Sequence, residues 1–292
     1  MLLCVAFFYW LTIMLYICAT PIGNLKDISL RALELLNSCD IILCEDTRNS
    51  QKLFNHHQIK YQKLVAFHEH NEQEISHKVI EWLNAGMNIV QITDAGTPGV
   101  SDPGARLCNL VRKYNLPVSP IPGACAYITL LSVSGINAPS VFYGFLPHKS
   151  SHRKNKLIEL SKLSMVICIY ESPHRIVDSL LDIRDVFGTD TNIVMGRELT
   201  KQFETIKHMP IDELIDFITN DINQQKGEFV LLIIPSIKEV TTSTISPQQL
   251  ELLNLLLAEL PPKKAASITA KFLSGDKNLL YTYAIGLRNI VR

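Results

Sequence analysis

Short apolar runs alternate with longer amphipathic stretches along the chain, regularly enough to name elements. Runs near residues 15–19, 40–44, 63–66, 88–93 and 118–121 predict buried strands, because they are short, continuously apolar and bounded by turn residues. Helix-type spacing lies between them: from an Asp27 cap to about residue 37, from "EDTR" through residue 53, over 72–84, and from residue 126 to about 134. Strands joined by helices in this way predict a parallel sheet covered on both faces. The rhythm changes at "SGINAPS" (134–140), where Gly, Asn and Pro cluster as in a linker. Further strands are predicted at 141–144, 164–170, 192–195 and 228–235, with helices at 173–187 and 211–222. A polar, β-branched stretch, "TTSTISP" (241–247), reads as a second linker before three helices at 248–259, 263–273 and 277–288. The expected organisation is an apolar extension (1–13), two α/β domains (14–135 and 136–240) and a helical tail module (241–292).

Turn-forming and polar residues gather where the predicted strands end. "ATPIGN", "CEDTR", "TDAGTPGVSDPG" and "IPGACA" follow strands of the first domain, and "YESPHR" and "RELTK" follow strands of the second. Ligands of open α/β sheets sit beyond the carboxyl ends of the strands. One such cluster is ordinary turn punctuation, but six, each with polar side chains, point to one ligand cleft shared by two domains. The sequence carries neither a GxGxxG after the first strand nor a GxxxxGK[ST], and neither HExxH nor GxSxG. What remains is a set of turns with small residues (Ala95, Gly96, Gly99, Ala124, Ala126), suited to a folded ligand with a zwitterionic end and a flat base held through main-chain groups.

Composition narrows the classes. The 28 basic and 28 acidic residues cancel, which argues against a protein that coats nucleic acid by bulk attraction but leaves a local basic patch open. Seven scattered cysteines without a CxxC read as reduced core thiols of a cytoplasmic protein. His68 and His70 in "FHEH" lack visible third and fourth ligands, so no metal site is expected. The first 25 residues contain no charged side chain, and their apolarity raises a membrane-spanning reading. There is no basic flank to support it, and "MLYICATPIGN" from Met14 already forms a complete strand and turn.

The segments "ATPIGNLKDISLRALELL", "CEDTRNSQKL", "DAGTPGVSDPG", "IPGACA", "GFLPHK", "YESPHR", "RELTKQFE" and "GEFVLLI", in this order, resemble the set that marks the small-subunit ribosomal RNA methyltransferase I family. That family belongs to the tetrapyrrole methylases, the class III S-adenosylmethionine-dependent methyltransferases, and the resemblance runs from about Met14 to the C-terminus. It implies an α/β fold with two domains of tetrapyrrole methylase type, S-adenosylmethionine in the cleft between them, and a homodimer. It also implies 2′-O-methylation of a cytidine ribose in the decoding region of 16S rRNA within the small ribosomal subunit. Carried over by position, Pro21, Asp94, Gly96, Thr97, Val100, Ser101, Cys125, Ala126, Glu171 and Leu199 are expected to border the cofactor. Cys125 stands where the family usually has Ser, so a thiol replaces the hydroxyl at that position.

Attack by a ribose hydroxyl on an activated methyl needs positioning and a nearby base. The available groups are Glu45 and Asp46, Glu171 and His174, and Glu198 and Lys201. For 45–48 and 198–201 an ion pair bracing the loops is an equal alternative, and His174 is placed to cap a helix. "HKSSHRKNK" (148–156) is the one compact basic run. Its Lys149, Arg153, Lys154 and Lys156 are expected to face solvent from a loop and touch RNA phosphate. Lys263 and Lys264 open a tail helix that serves either RNA or a partner subunit. Methylation of a tetrapyrrole or another small substrate on the same fold is the alternative enzyme reading. A non-catalytic RNA-binding or membrane-tethered assembly protein is the third, although it leaves the strand-end clusters without a role. Because Met14 opens the first strand, a chain beginning there is expected to remain soluble and active, without stable membrane association. Loss of solubility or activity on that truncation revives anchoring.

Overall fold

The structure, a computed structural model, describes residues 13–235 and 245–290, with side chains to residue 286. The apolar extension and most of the second linker therefore lie outside the described residues. Among the described residues no helix is long and apolar enough to cross a membrane. The chain divides into two compact units, Met1–Ser236 and Ile237–Arg292.

The first unit holds two five-stranded sheets. In the first, β1 (Leu15–Cys18), β2 (Ile41–Cys44), β3 (Leu64–Ala66), β4 (Ile89–Gln91) and β5 (Val118–Ile121) lie in the order β3-β2-β4-β1-β5. Every pairing is parallel, as continuous apolar runs such as "IILC" require when both faces are covered. Helices α1 (Leu30–Ser38) and α2 (Thr47–His57) cover one face through Ala32, Leu36 and Phe54. Helices α3 (Glu72–Asn84) and α4 (Ala105–Lys113) cover the other through Val79, Leu83, Leu107 and Val111. The cap of α1 is Ser29, whose hydroxyl accepts from the Ala32 N–H at 3.1 Å, and not Asp27. A fifth helix, α5 (Ala126–Val133), follows β5.

The second sheet contains β6 (Ser140–Phe145), β7 (Val166–Glu171), β8 (Asn192–Arg197), β9 (Thr205–Pro210) and β10 (Phe229–Ile234), in the order β6-β7-β10-β8-β9. Only β6 and β7 run parallel; β10 is antiparallel to both β7 and β8, and β8 to β9. Helices α6 (Ser150–Ser161), α7 (Ile176–Phe187) and α8 (Ile211–Asn220) pack on one face around Leu157, Leu180 and Leu214. The opposite face carries Cys168, Val194, Val230 and Leu232 and receives Leu130 of α5, with Ile22 and Leu199 beside it. This shared cluster joins the two sheets. The edge strand β9 was not legible in the sequence, because its alternating exposure mixes Lys207 and His208 with apolar residues.

The basic run at 148–156 is not a loop but the entry to α6, and one expectation changes with it. Arg153 falls on the helix's buried face, 2% exposed. Its guanidinium grips Asp182 of α7 through Nε and Nη2, both at 2.7 Å, and Nη1 donates to the His148 carbonyl at 3.1 Å. Lys154 pairs with Asp185 at 2.7 Å, and Lys156 with Glu159. Arg153 therefore does not face solvent, and Lys149 at the helix N-cap is the member of the run without such a pairing in its own helix or in α7.

The second unit consists of α9 (Pro247–Glu259), α10 (Pro262–Phe272) and α11 (Lys277–Ile290) around Leu253, Ala265, Ala266, Leu280 and Ala284. Ser246 and Gln249 form a reciprocal capping box at the start of α9.

Removing one partner of a buried ion pair leaves the other charge uncompensated, at about 3–5 kcal/mol. Arg153→Ala leaves buried Asp182 with only Lys154 at 3.4 Å and the Ser150 hydroxyl at 2.9 Å, so it is expected to lower the denaturant midpoint of the chain toward that scale, and by more than Lys154→Ala does. Equal, small effects from both would contradict the buried bracing role.

Candidate active site

A cavity of about 430 Å³ opens between the two sheets, within the range of sites that enclose a small molecule. The parallel first sheet supplies its wall from strand ends: Ile22 after β1, Glu45 after β2, the 94–102 loop after β4, and Cys125 and Ala126 at the entry to α5. The second sheet supplies Phe145 at the end of β6, Tyr170 to Pro173 at the end of β7, and Leu199 after β8. Because β10 is antiparallel, its beginning lies beside those ends and brings Glu228, Phe229 and Val230 to the same place.

The 94–102 loop is held in a shape that needs glycine. Gly96 has φ 86°, and exchanges backbone hydrogen bonds with Thr20 at 2.8 and 3.1 Å, so the loop is stitched to the turn after β1. The Thr97 hydroxyl donates to the Ala124 carbonyl at 3.0 Å, tying the same loop to the turn after β5. Gly144 of β6, φ 86°, approaches from the other sheet so closely that a Cβ there would lie 2.7 Å from the Ser101 hydroxyl.

The cofactor-facing expectations fall on the wall with one shift. Asp94, Gly96, Thr97, Val100, Ser101, Cys125, Ala126, Glu171 and Leu199 line the cavity. Pro21 is buried and absent from the lining, where its neighbour Ile22 stands instead. Cys125 places its thiol 3.9 Å from the Tyr170 hydroxyl, which also accepts from the Tyr127 N–H at 3.3 Å.

The proposed acid–base groups separate more sharply. Glu45 and Glu171 line the cavity; Asp46, His174, Glu198 and Lys201 do not. Asp46 caps α2, and its carboxylate takes three hydrogen bonds from Arg48, which hold its pKa at about 2. His174 is exposed, and α7 begins after Arg175 without a side-chain cap, so the expected capping role is not seen. Lys201 bridges Glu198 and Glu228 at 2.8 Å each. Burial raises the Glu198 carboxyl, but hydrogen bonds from Lys201 and the Glu228 N–H bring it below its ordinary value. This is the loop brace. Glu171, with a fully buried side chain, receives Arg175 and Ser179 at 2.6 Å and the Ser172 N–H at 2.7 Å.

Asp102, Phe145, Tyr170, Ser172 and Glu228 also line the wall, beyond the residues expected from the sequence. Tyr170 stacks edge-on with both Phe142 and Phe145, at centroid distances of 4.8 and 5.7 Å. Their common signal is the strand end itself, where each lies within a few residues of a recognised cluster. Five carboxylates line the cavity (Glu45, Asp94, Asp102, Glu171 and Glu228), while no lysine or arginine is found among its described lining residues. Such a wall favours a cationic ligand and disfavours phosphate. Burial, followed by the neighbouring Asp94, pushes the Glu45 carboxyl up. Among the described residues no group of three or more His, Cys, Asp or Glu side chains is placed to hold a metal ion.

The chain matches two families: Tetrapyrrole (Corrin/Porphyrin) Methylases over residues 14–215, and the RsmI C-terminal HTH domain over residues 243–288. It is 47% identical over 277 residues to the ribosomal RNA small subunit methyltransferase I of Vibrio cholerae, covering 94% of this chain and 95% of that one. The protein of the same name from Pseudomonas aeruginosa is 44% identical over 272 residues, with 93% and 96% covered. Among solved structures, a cobalt precorrin-4 methyltransferase superposes with TM-score 0.57 at 18% identity, over 75% of this chain and 94% of that one. A diphthine synthase gives TM-score 0.58 at 14% identity, over 75% and 89%. The strand-end cavity thus sits on a tetrapyrrole methylase fold, and the chain belongs to the ribosomal RNA small subunit methyltransferase I family.

Proposed function

We propose that the chain transfers a methyl group from S-adenosylmethionine to the ribose 2′-oxygen of a cytidine in the decoding region of 16S rRNA. The observation that carries this reading is the cavity wall: a glycine-bearing loop with fixed main-chain groups, small side chains and carboxylates without lysine or arginine among the described lining residues. That donor set fits a sulfonium cation with a nucleoside and an amino-acid end. The bound cofactor supplies an already activated methyl group, so the chain's own task is to orient it, exclude water and receive a proton.

The RNA itself is held outside this acidic wall. Lys149, at the N-cap of α6 four residues after the lining residue Phe145, and Lys154 and Lys156, partly exposed at 39% and 29%, are the phosphate contacts we assign on the first unit. Lys263 and Lys264, both exposed on α10, are the corresponding residues of the second unit. The substrate is the small ribosomal subunit, and the working form is a homodimer in the cytoplasm. Ile128 and Val133 of α5, 55% and 59% exposed, offer apolar surface for that pairing. The six described cysteines are unpaired thiols, in keeping with a reducing compartment.

Calorimetry with S-adenosylmethionine and transfer of labelled methyl to 30S subunits test the reading together. Binding is expected, with label entering 16S rRNA as an alkali-resistant linkage at a cytidine. Binding without RNA methylation moves the assignment to a small-molecule substrate, and absence of both to a non-catalytic role. Gly96→Val is expected to abolish cofactor binding while the chain stays folded, since a β-branched residue is strongly disfavoured at φ 86° and its side chain points toward Ile22 and Ala124. Near-normal affinity in the folded variant contradicts the placement of the loop. Replacing Lys149, Lys154 and Lys156 by Ala is expected to weaken 30S binding and to flatten its log–log salt dependence by about one unit per lost phosphate contact. Cofactor affinity should be unchanged, and an unaltered salt slope shifts the RNA contacts to the second unit.

A further inference from the structure

The five carboxylates of the cavity wall are not equivalent. Glu171 is fixed by Arg175, Ser179 and the Ser172 N–H, and these donors occupy both of its oxygens. Glu228 reaches Lys201, and its side chain is 74% exposed. Asp94 accepts from the Asp46 N–H at 3.0 Å and the Asn49 amide at 2.8 Å. Asp102 and Glu45 remain, half-buried and without an ion-pair partner, and the groups that face Asp102 are themselves acidic.

We propose that Asp102, which shares the cavity wall with Glu45 and Asp94 and has no ion-pair partner, is the proton acceptor for the ribose hydroxyl. The assignment rests on the proposed methyl transfer and deepens it.

The backbone around Asp102 is unusually well fixed. The Pro103 carbonyl accepts from the Gln91 side chain at 2.8 Å and the Gly99 N–H at 3.2 Å, and the Gly104 N–H donates to buried Glu72 at 3.2 Å. Ser101, with φ 65°, turns the chain just before Asp102. A main chain held in this way fixes the point from which the Asp102 side chain enters the cavity wall and limits reorganisation during proton transfer. Burial is the largest influence on its acidity, the charges of Glu45 and Asp94 add to it, and the Thr93 hydroxyl opposes them. The result is a pKa of about 7. The groups facing Glu45 in turn are Asp94, His68 from the turn after β3, and Asp46, whose charge Arg48 offsets.

The step balances simply. The 2′-O–H bond breaks and its proton passes to an Asp102 carboxylate oxygen. The O–CH₃ bond forms as the S–CH₃ bond breaks, and the sulfur keeps the electron pair as a neutral thioether. Asp102 then returns the proton to water.

The test compares wild type, Asp102→Asn and Glu45→Gln in methylation of 30S subunits across pH, with cofactor affinity and carbon-13 aspartate-carboxyl titration measured on the same proteins. The wild-type rate is expected to rise with pH along a limb centred near 7, matched by a carboxyl resonance titrating there. Asp102→Asn should bind the cofactor normally, lose the resonance and the limb, and fall in rate by about 10²–10⁴-fold, the usual range for a general base. Glu45→Gln removes a facing negative charge, so both limb and resonance should move to lower pH. An Asp102→Asn enzyme with the wild-type limb and rate overturns the assignment, as does one whose only defect is lost cofactor affinity. If Asp102→Asn fails to fold, an unmoved limb and resonance in Glu45→Gln overturn it equally. Wild type that binds cofactor but leaves 30S subunits unmethylated overturns the rRNA reading and the proposal with it. An active wild type with an indifferent Asp102→Asn overturns the proposal alone.

Discussion

The apolar cluster between α5 and the second sheet is the contact on which the site depends. Leu130, fully buried, packs against Val194, Val230 and Leu232, and Ile22 and Leu199 extend the same cluster toward the cavity. Burying a leucine in such a seam contributes about 1.5–3 kcal/mol, and the seam contains several apolar side chains of that size. Its geometric effect matters as much. The helix that follows β5 is laid across the second sheet, so the carboxyl ends of the two sheets face one cavity. The Tyr127 hydroxyl to Ser140, at 2.5 Å, and the Tyr127 N–H to the Tyr170 hydroxyl, at 3.3 Å, fix the register of that meeting.

Acidity within the cavity follows from this closure. Strand ends are where turns with polar residues collect, and facing them toward one another concentrates carboxylates in a half-buried space. Three of the five are engaged by hydrogen-bond donors or a lysine, which leaves Glu45 and Asp102 to share the consequences of like charge at close quarters. A wall of this sign favours a cationic ligand and disfavours phosphate. The cations paired across α6 and α7 stand outside it.

Much of this was legible in the sequence because strand ends announce themselves. The strands of the first sheet, the 94–102 loop and both clusters of the second domain follow from short apolar runs broken by Gly, Pro and Asp. Other features were hidden for physical reasons. Arg153 reads as a surface charge because nothing local shows Asp182, nearly thirty residues away, packed against it. The α6 entry looks like a loop because its first turns are polar on most sides, with a low apolar contrast between faces. The antiparallel direction of β10 depends on pairing, which a single strand's composition does not encode. Asp102 carries no signal of its own within "DAGTPGVSDPG", because what distinguishes it is the absence of an ion-pair partner, and partners are a property of the folded chain.

A crystal structure of the chain with S-adenosylhomocysteine tests the central claim most directly, since this product is the cofactor without its methyl. The account predicts density folded within the cavity, its polar groups on the main chain of the Gly96–Ser101 loop and its nucleoside beside Tyr170 and Val230, with Asp102 left free to face an incoming ribose. Ligand density outside this cavity, or a ligand atom hydrogen-bonded to Asp102 in the place the ribose needs, would contradict it.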